Sequence, residues 1–180
     1  MFKCGGHFGY YTIPGRWNHN KLYVSPEMSS PLIQELLRLL KPLLLEIGRW
    51  VEKYFPEEAE KLKQIPEKYR PYYLFSLMTI NLTCGDIFHV DNRDSGPCVV
   101  VPVGHFTKGG LGFSGFEGGT VALNLNVGDF AVFYGNKLYH QVTEYQGDRM
   151  SLVFCTKQKT FENCMRVERG EDVVQVKKEK

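Results

Sequence analysis

The chain of 180 residues contains no long apolar run. No stretch approaches the ~20 residues that a membrane-spanning helix needs, although 43% of the residues are apolar. Charge of one sign is also missing: 22 Lys and Arg stand against 20 Asp and Glu, for a net charge of +2. So small an excess argues against a broad electrostatic grip on a phosphate backbone. The opening MFKCGGHFGYYTIPGRW has neither the apolar core nor the small-residue cleavage site of a secretory signal, so an intracellular location, cytoplasmic or nuclear, is expected. Cys4, Cys84, Cys98, Cys155 and Cys164 are odd in number and irregular in spacing, which argues against a disulfide framework and for reduced thiols.

What remains is globular in composition, with 23% charged and 13% aromatic residues. The length suits one domain with a full core. We expect a single domain over 1–180, with a loop or edge region at 1–30, supporting helices at 31–70, a strand core at 71–156 and a C-terminal extension at 157–180 ending in a solvated VKKEK tail.

The stretch PLIQELLRLLKPLLLEIGRWVEKY, residues 31–54, carries leucines at helical spacing behind a proline suited to a first turn. It reads as an amphipathic helix that can kink at Pro42 and that packs on a sheet rather than binding a partner. PEEAEKLKQI, residues 56–65, reads as a second, short helix. From residue 72 the texture changes to β-branched and aromatic runs cut by glycine: YYLFSLMTINLT, CVVVPV, GLGFSGF, TVALNL, DFAVFYG, LYHQVTEY and RMSLVFCT. Short strands without intervening helices predict an α+β fold whose core is an antiparallel double sheet, a jelly roll.

In IFHVDNRDSG, His89 and Asp91 alternate with Val90, so in an extended segment both project from one side toward a common ion. His140, in GNKLYHQVTEY, is the third candidate ligand. Two histidines and a carboxylate make the facial set of non-haem Fe(II), which leaves positions open for small molecules. In GDRMSLVF, Arg149 and Ser151 again share a strand face, and a guanidinium with a hydroxyl beside it suits one end of a dicarboxylate. The plainer alternative is a satisfied polar pair at a strand end, with His140 and Arg149 independent of it. His105 is a further candidate at a strand end; Cys4 and His7 lack the second pair a zinc site requires; Cys84 reads as a buried thiol.

His-x-Asp, a distal His and Arg-x-Ser, in that order over about residues 72–156, resemble the Fe(II)/2-oxoglutarate-dependent dioxygenases, with a double-stranded β-helix core. The resemblance implies that His89, Asp91 and His140 bind Fe(II), that Arg149 and Ser151 hold the far carboxylate of 2-oxoglutarate, and that O2 is the second cosubstrate. Such oxidoreductases couple decarboxylation of 2-oxoglutarate to succinate with oxidation of a substrate C–H bond. The wider pattern SLMTINLTCGDIFHVDNRD, GGLGF, LNVGDFAVFYGNKLYHQV and GDRMSLVF is similar to the TET/JBP branch, which oxidises the methyl group of 5-methylcytosine or thymine. In that branch an Asp or Asn at the position of Asp94 faces the base, and a carboxylate there suits the exocyclic amine of cytosine. An Asx turn or a pairing with Arg93 is the other reading of Asp94.

The partner implied is DNA carrying a methylated base; no membrane is implied. Scattered candidates for phosphate contact are Lys3, Arg16, Lys21, Lys61, Lys63, Lys68 and Arg70, which a solvated face explains equally well. The rival readings are a dioxygenase that hydroxylates a protein side chain or small metabolite, and a jelly-roll module that binds without turnover.

Overall fold

The computed structural model describes residues 4–12, 21–82, 87–117 and 119–176. In chain order they form β1 (Cys4–Tyr11), β2 (Leu22–Val24), α1 (Pro31–Tyr54), α2 (Pro56–Lys63), β3 (Leu77–Leu82), β4 (Cys98–Lys108) and β5 (Gly110–Phe116), followed by β6 (Gly119–Asn124), β7 (Ala131–Phe133), β8 (Tyr139–Val142), β9 (Tyr145–Cys155), α3 (Gln158–Glu168) and β10 (Val174–Val176). Two compact units result: a strand unit of Met1–Gly6 and Thr79–Phe154, and a helical unit of His7–Met78 and Cys155–Lys180. No helix among the described residues is long and apolar enough to cross a membrane.

In the helical unit, Ser30 accepts a hydrogen bond from the Ile33 N–H at 3.2 Å and Pro31 opens the first turn, so α1 begins where cap and proline dictate. The helix runs through Pro42 without a break. Ile33, Leu44, Ile47, Gly48 and Val51 form its buried face, one stripe at helical spacing. Gly48 belongs there because a Cβ at its position would stand 2.1 Å from the Tyr73 ring. β2 pairs antiparallel with β1 and parallel with β10. Beside these strands Leu22, Ile65, Tyr69 and Cys164 are buried together, with Tyr10, Phe161, Val167 and Val174 packed against them. Each large apolar side chain buried there contributes roughly 1.5–3 kcal/mol.

The strand unit is the antiparallel double sheet that the texture of the sequence predicts. One sheet runs β3-β9-β4-β7, the other β6-β5-β8. β4 lies between β9 and β7 and is buried on both faces at its start, which explains why CVVVPV is a continuous apolar run rather than an alternating one. Pro102 sits beyond Cys98–Val100, where β7 ends its pairing, and opposite Ser151 of β9, so its missing N–H costs no bond to β7. Phe113 of β5 meets Phe133 of β7 edge to face, ring centroids 5.0 Å apart, and so joins the two sheets. The fold is α+β with a jelly-roll core.

The β4/β9 ladder carries Arg149 opposite Gly104. Gly104 has φ +121°, and a Cβ there would lie 2.3 Å from the Asp148 carbonyl oxygen; across the ladder Gly147 has φ +101°, and its Cβ would lie 2.3 Å from the His105 carbonyl oxygen. Backbone approaches backbone at both positions, which only glycine permits without strain. Gly104→Ala is therefore expected to lower stability by about 1–3 kcal/mol, read as a shifted midpoint in urea unfolding; an unshifted midpoint would show that the ladder opens freely there.

Candidate metal centre and anion site

His89 and Asp91 lie between β3 and β4, outside the regular strands. His89 makes an isolated bridge to His140, the first residue pair outside the regular ladders to join the two motifs. The His89 N–H donates to the His140 carbonyl at 3.0 Å and the His140 N–H donates back at 2.9 Å. Two residues that exchange both backbone hydrogen bonds are held as close as antiparallel neighbours, so motifs far apart in sequence become adjacent. Asp91 is fixed in turn by its N–H, which donates to the Gly135 carbonyl at 2.7 Å.

The donor atoms of His89, Asp91 and His140 all lie within 4.8 Å of one another; among the described residues no other such group of three His, Cys, Asp or Glu exists. His140 Nε2 and Asp91 Oδ2 are 3.9 Å apart, a spacing that metal–ligand bonds of about 2.0–2.2 Å can bridge. His89 Nδ1 is 3.0 Å from the Ile87 carbonyl oxygen and His140 Nδ1 is 2.9 Å from that of Leu138. A carbonyl only accepts, so each Nδ1 carries a proton and Nε2 is the ring nitrogen left to face a metal. Phe133 stands edge to face against the His140 ring, centroids 4.8 Å apart, and fixes its plane. His140 is 6% exposed while Asp91 and His89 are half-buried, so the group opens on the His89–Asp91 side. The donor set fits Fe(II).

Arg149 and Ser151 come together on β9, both buried, with the Arg149 Nη1 donating to Ser151 Oγ at 2.8 Å. The guanidinium's other nitrogens, Nε and Nη2, are buried and have no hydrogen-bond partner among the described residues. Burial lowers the Arg149 pKa from its ordinary value, with the Tyr145 hydroxyl opposing the shift; a guanidinium starts so far above neutrality that it stays a cation. Phe106 and Tyr145 lie over it at 5.5 Å and 5.8 Å. Gly109 (φ +81°) leaves the side open where a Cβ would press to 2.8 Å from Tyr145 Cβ. A buried cation with two unsatisfied donors is costly, and a carboxylate accepting from both would satisfy it bidentately.

Asp94 closes a turn on Asp91, its N–H donating to the Asp91 carbonyl at 3.0 Å. It is 4% exposed, with Oδ2 3.6 Å from where a Gly135 Cβ would stand and Cys98 Sγ on the same side. Asn136 Nδ2 donates to the Asp94 carbonyl at 3.0 Å. Phe133 and Gly135 belong to DFAVFYG, which reads in sequence as a strand, and Asn136 follows it; the glycine and asparagine are the signal of a turn there. His105 is exposed on β4 and stands apart from this group, paired in the ladder with Asp148. Lys63 pairs with Glu52 and Glu60, Lys68 with Glu168, and Arg70 donates to the Ile65 and Tyr73 carbonyls. Cys84, Lys3, Arg16 and the side chain of Cys4 lie outside the described residues. Cys98, Cys155 and Cys164 are buried thiols, and desolvation pushes Cys164 up to about 12.

His140→Ala removes one of three donors and the bridge partner's ring. The affinity for Fe(II) or Mn(II), titrated without oxygen, is expected to fall by at least about 100-fold, more than the loss of an outer partner costs; wild-type affinity in this variant would end the three-donor assignment.

No family model and no curated protein matches the chain by sequence. In fold it is similar to the solved structure of NgTET1 in complex with 5mC DNA, with TM-score 0.70 and 17% identity, over 94% of this chain and 70% of that one. At that identity the likeness speaks for the fold, and it is the fold of the branch that the spacing of His89, Asp91, His140 and Arg149 resembles.

Proposed function

We propose that this protein is an Fe(II)/2-oxoglutarate-dependent dioxygenase that oxidises the methyl group of 5-methylcytosine in DNA, with succinate and CO2 as co-products. The observation that carries the reading is the pairing of two sites in one unit: three metal donors within 4.8 Å, and a buried guanidinium with two donor nitrogens lacking partners. Either alone has structural explanations. Together they match the two ends of a bidentate keto acid, one for a metal and one for a cation.

His89, Asp91 and His140 would hold Fe(II), and Arg149 with Ser151 would bind the distal carboxylate of 2-oxoglutarate. Bound there, the metal supplies O2 activation coupled to decarboxylation of the keto acid, which leaves R–CH2OH from R–CH3. The chain's own work is binding and orientation. The Nδ1–H contacts to Ile87 and Leu138 keep the imidazoles in the metal-binding tautomer, and Phe133, Phe113 and Phe106 present apolar surface that excludes water. The DNA reading draws on the likeness to NgTET1 in complex with 5mC DNA. The near-neutral charge is compatible with it, because an enzyme that flips out one base needs few phosphate contacts.

Asp94 is our candidate for accepting from the exocyclic amine of cytosine. Its burial beneath Gly135 favours a second role, holding the turn that carries Asp91. Asp94→Asn separates the two: a changed preference between methylated bases with normal metal affinity supports base contact, and weakened metal affinity with unchanged preference supports the turn.

The reading is tested by anaerobic loading with Fe(II) and 2-oxoglutarate, admission of O2, and mass spectrometry of nucleosides from a 5-methylcytosine duplex, with succinate measured alongside. Hydroxymethylcytosine or a more oxidised base is expected. Succinate without base oxidation would turn the search to protein or metabolite substrates, and neither product would favour a module without turnover. Arg149→Ala is expected to raise the KM for 2-oxoglutarate roughly 30-fold or more, the cost of truncating one partner of a buried charge pair, with metal affinity retained. An unchanged KM would assign the carboxylate to another cation.

A further inference from the structure

α1 carries a second apolar stripe beside its buried face. Leu32, Leu39, Trp50 and Tyr54 are 78%, 61%, 39% and 52% exposed, and half-buried Leu36 and Leu43 fall between them at helical spacing. The stripe extends over nearly the whole helix, about 33 Å at 1.5 Å per residue. Isolated exposed leucines are ordinary, but a row of this length is not.

The charges flanking the stripe say what fits it. Glu35 and Arg38 form an ion pair at 2.6 Å, and Glu46 and Arg49 form one at 3.6 Å, all four side chains well exposed. The order is acid, base, acid, base, and the two pairs have equal internal spacing. Reversing the helix about Pro42 sets Glu35 opposite Arg49 and Arg38 opposite Glu46. In that register Leu32 comes level with Glu52 and Leu39 with Leu45, so the two stripes interleave rather than meet head on, with Leu32 about 3 Å along the axis from Trp50 and Leu39 about 3 Å from Leu43, while flanking charges on one side meet their own kind of position. A parallel, in-register arrangement would set Glu35 on Glu35 and Arg49 on Arg49, which repels.

We propose that α1 is a self-association surface, and that its partner is a second copy of this chain lying antiparallel across it with the two-fold axis near Pro42. The contact is isologous, so each ion pair occurs twice, and the two intrahelical pairs of each copy become four-charge clusters with those of the other. The proposal does not depend on the activity of the strand unit.

Sedimentation equilibrium of the full chain over roughly 1–200 μM tests it, with circular dichroism to confirm that variants fold. The wild-type chain is expected to dimerise within that range. E35R and R49E each place like charges across the axis and are expected to raise the dissociation constant roughly tenfold or more. Mixed in equal amounts, the two variants pair Arg with Glu at both positions and are expected to form a one-to-one heterodimer. P42C is expected to cross-link to itself with a short bis-maleimide, above the background of the wild-type cysteines. A monomer throughout the range, or a dimer indifferent to E35R and R49E and not restored by mixing them, would overturn the proposal.

Discussion

The reciprocal backbone exchange between His89 and His140 is the constraint on which the site depends. One of these residues lies between β3 and β4 and the other on β8, and among the described residues no regular ladder joins the two segments. Two hydrogen bonds, at 3.0 Å and 2.9 Å, do what a strand pair does elsewhere. Because β8 also pairs with β5 through Phe113 and His140, the bridge ties His89 to a sheet that the core already holds rigid. The aspartate follows from it: once His89 is placed, Asp91 is two residues on, and its N–H finds the Gly135 carbonyl. Each histidine then uses the carbonyl two residues behind it to settle its tautomer, so the same short segments provide both the ligands and their orientation.

Arg149 is positioned by the opposite means, a long regular ladder. β4 and β9 pair from Val99 to Lys108, and the glycines at 104 and 147 let the two backbones come closer than side chains would allow. The guanidinium lies against Phe106 and Tyr145 with Ser151 as its only side-chain acceptor among the described residues. The chain thus keeps a buried positive charge at the cost of two unsatisfied donors, an arrangement selection rarely keeps for stability alone. A site that takes two of its metal donors from a bridged segment and its cation from a long ladder suits a cosubstrate that must reach both.

Much of this was legible in the residues. The alternation and glycine punctuation from residue 72 gave the double sheet, and the leucine spacing of 31–54 gave α1, because both depend on periodicities that a single sequence displays. The order His-x-Asp, His, Arg-x-Ser singled out the three donors that the structure groups and the Arg149–Ser151 pair, since ligand chemistry restricts residue type. The bridge was not legible: one residue pair has no period. Nor was the contribution of Gly135 and Asn136, which act through a carbonyl and an amide that any residue or several could supply. Asp94 could be placed in a turn but not beneath Gly135, because depth depends on what packs above. In α1 the leucines at 32, 36, 39 and 43 merge in sequence with Ile33 and the leucines at 37, 40 and 44 into one broad band, and only the fold decides which edge meets solvent.

The central claim is that His89, Asp91 and His140 hold one metal ion while Arg149 holds a carboxylate of the same bound cosubstrate. Anomalous diffraction from crystals grown anaerobically with Fe(II) and 2-oxoglutarate tests it most directly. The account requires a single iron peak bonded to Nε2 of both histidines and to the Asp91 carboxylate, with density for the keto acid running from that peak to Nε and Nη2 of Arg149. An iron peak elsewhere, iron bound through Nδ1, or a keto acid that does not reach Arg149 would contradict it.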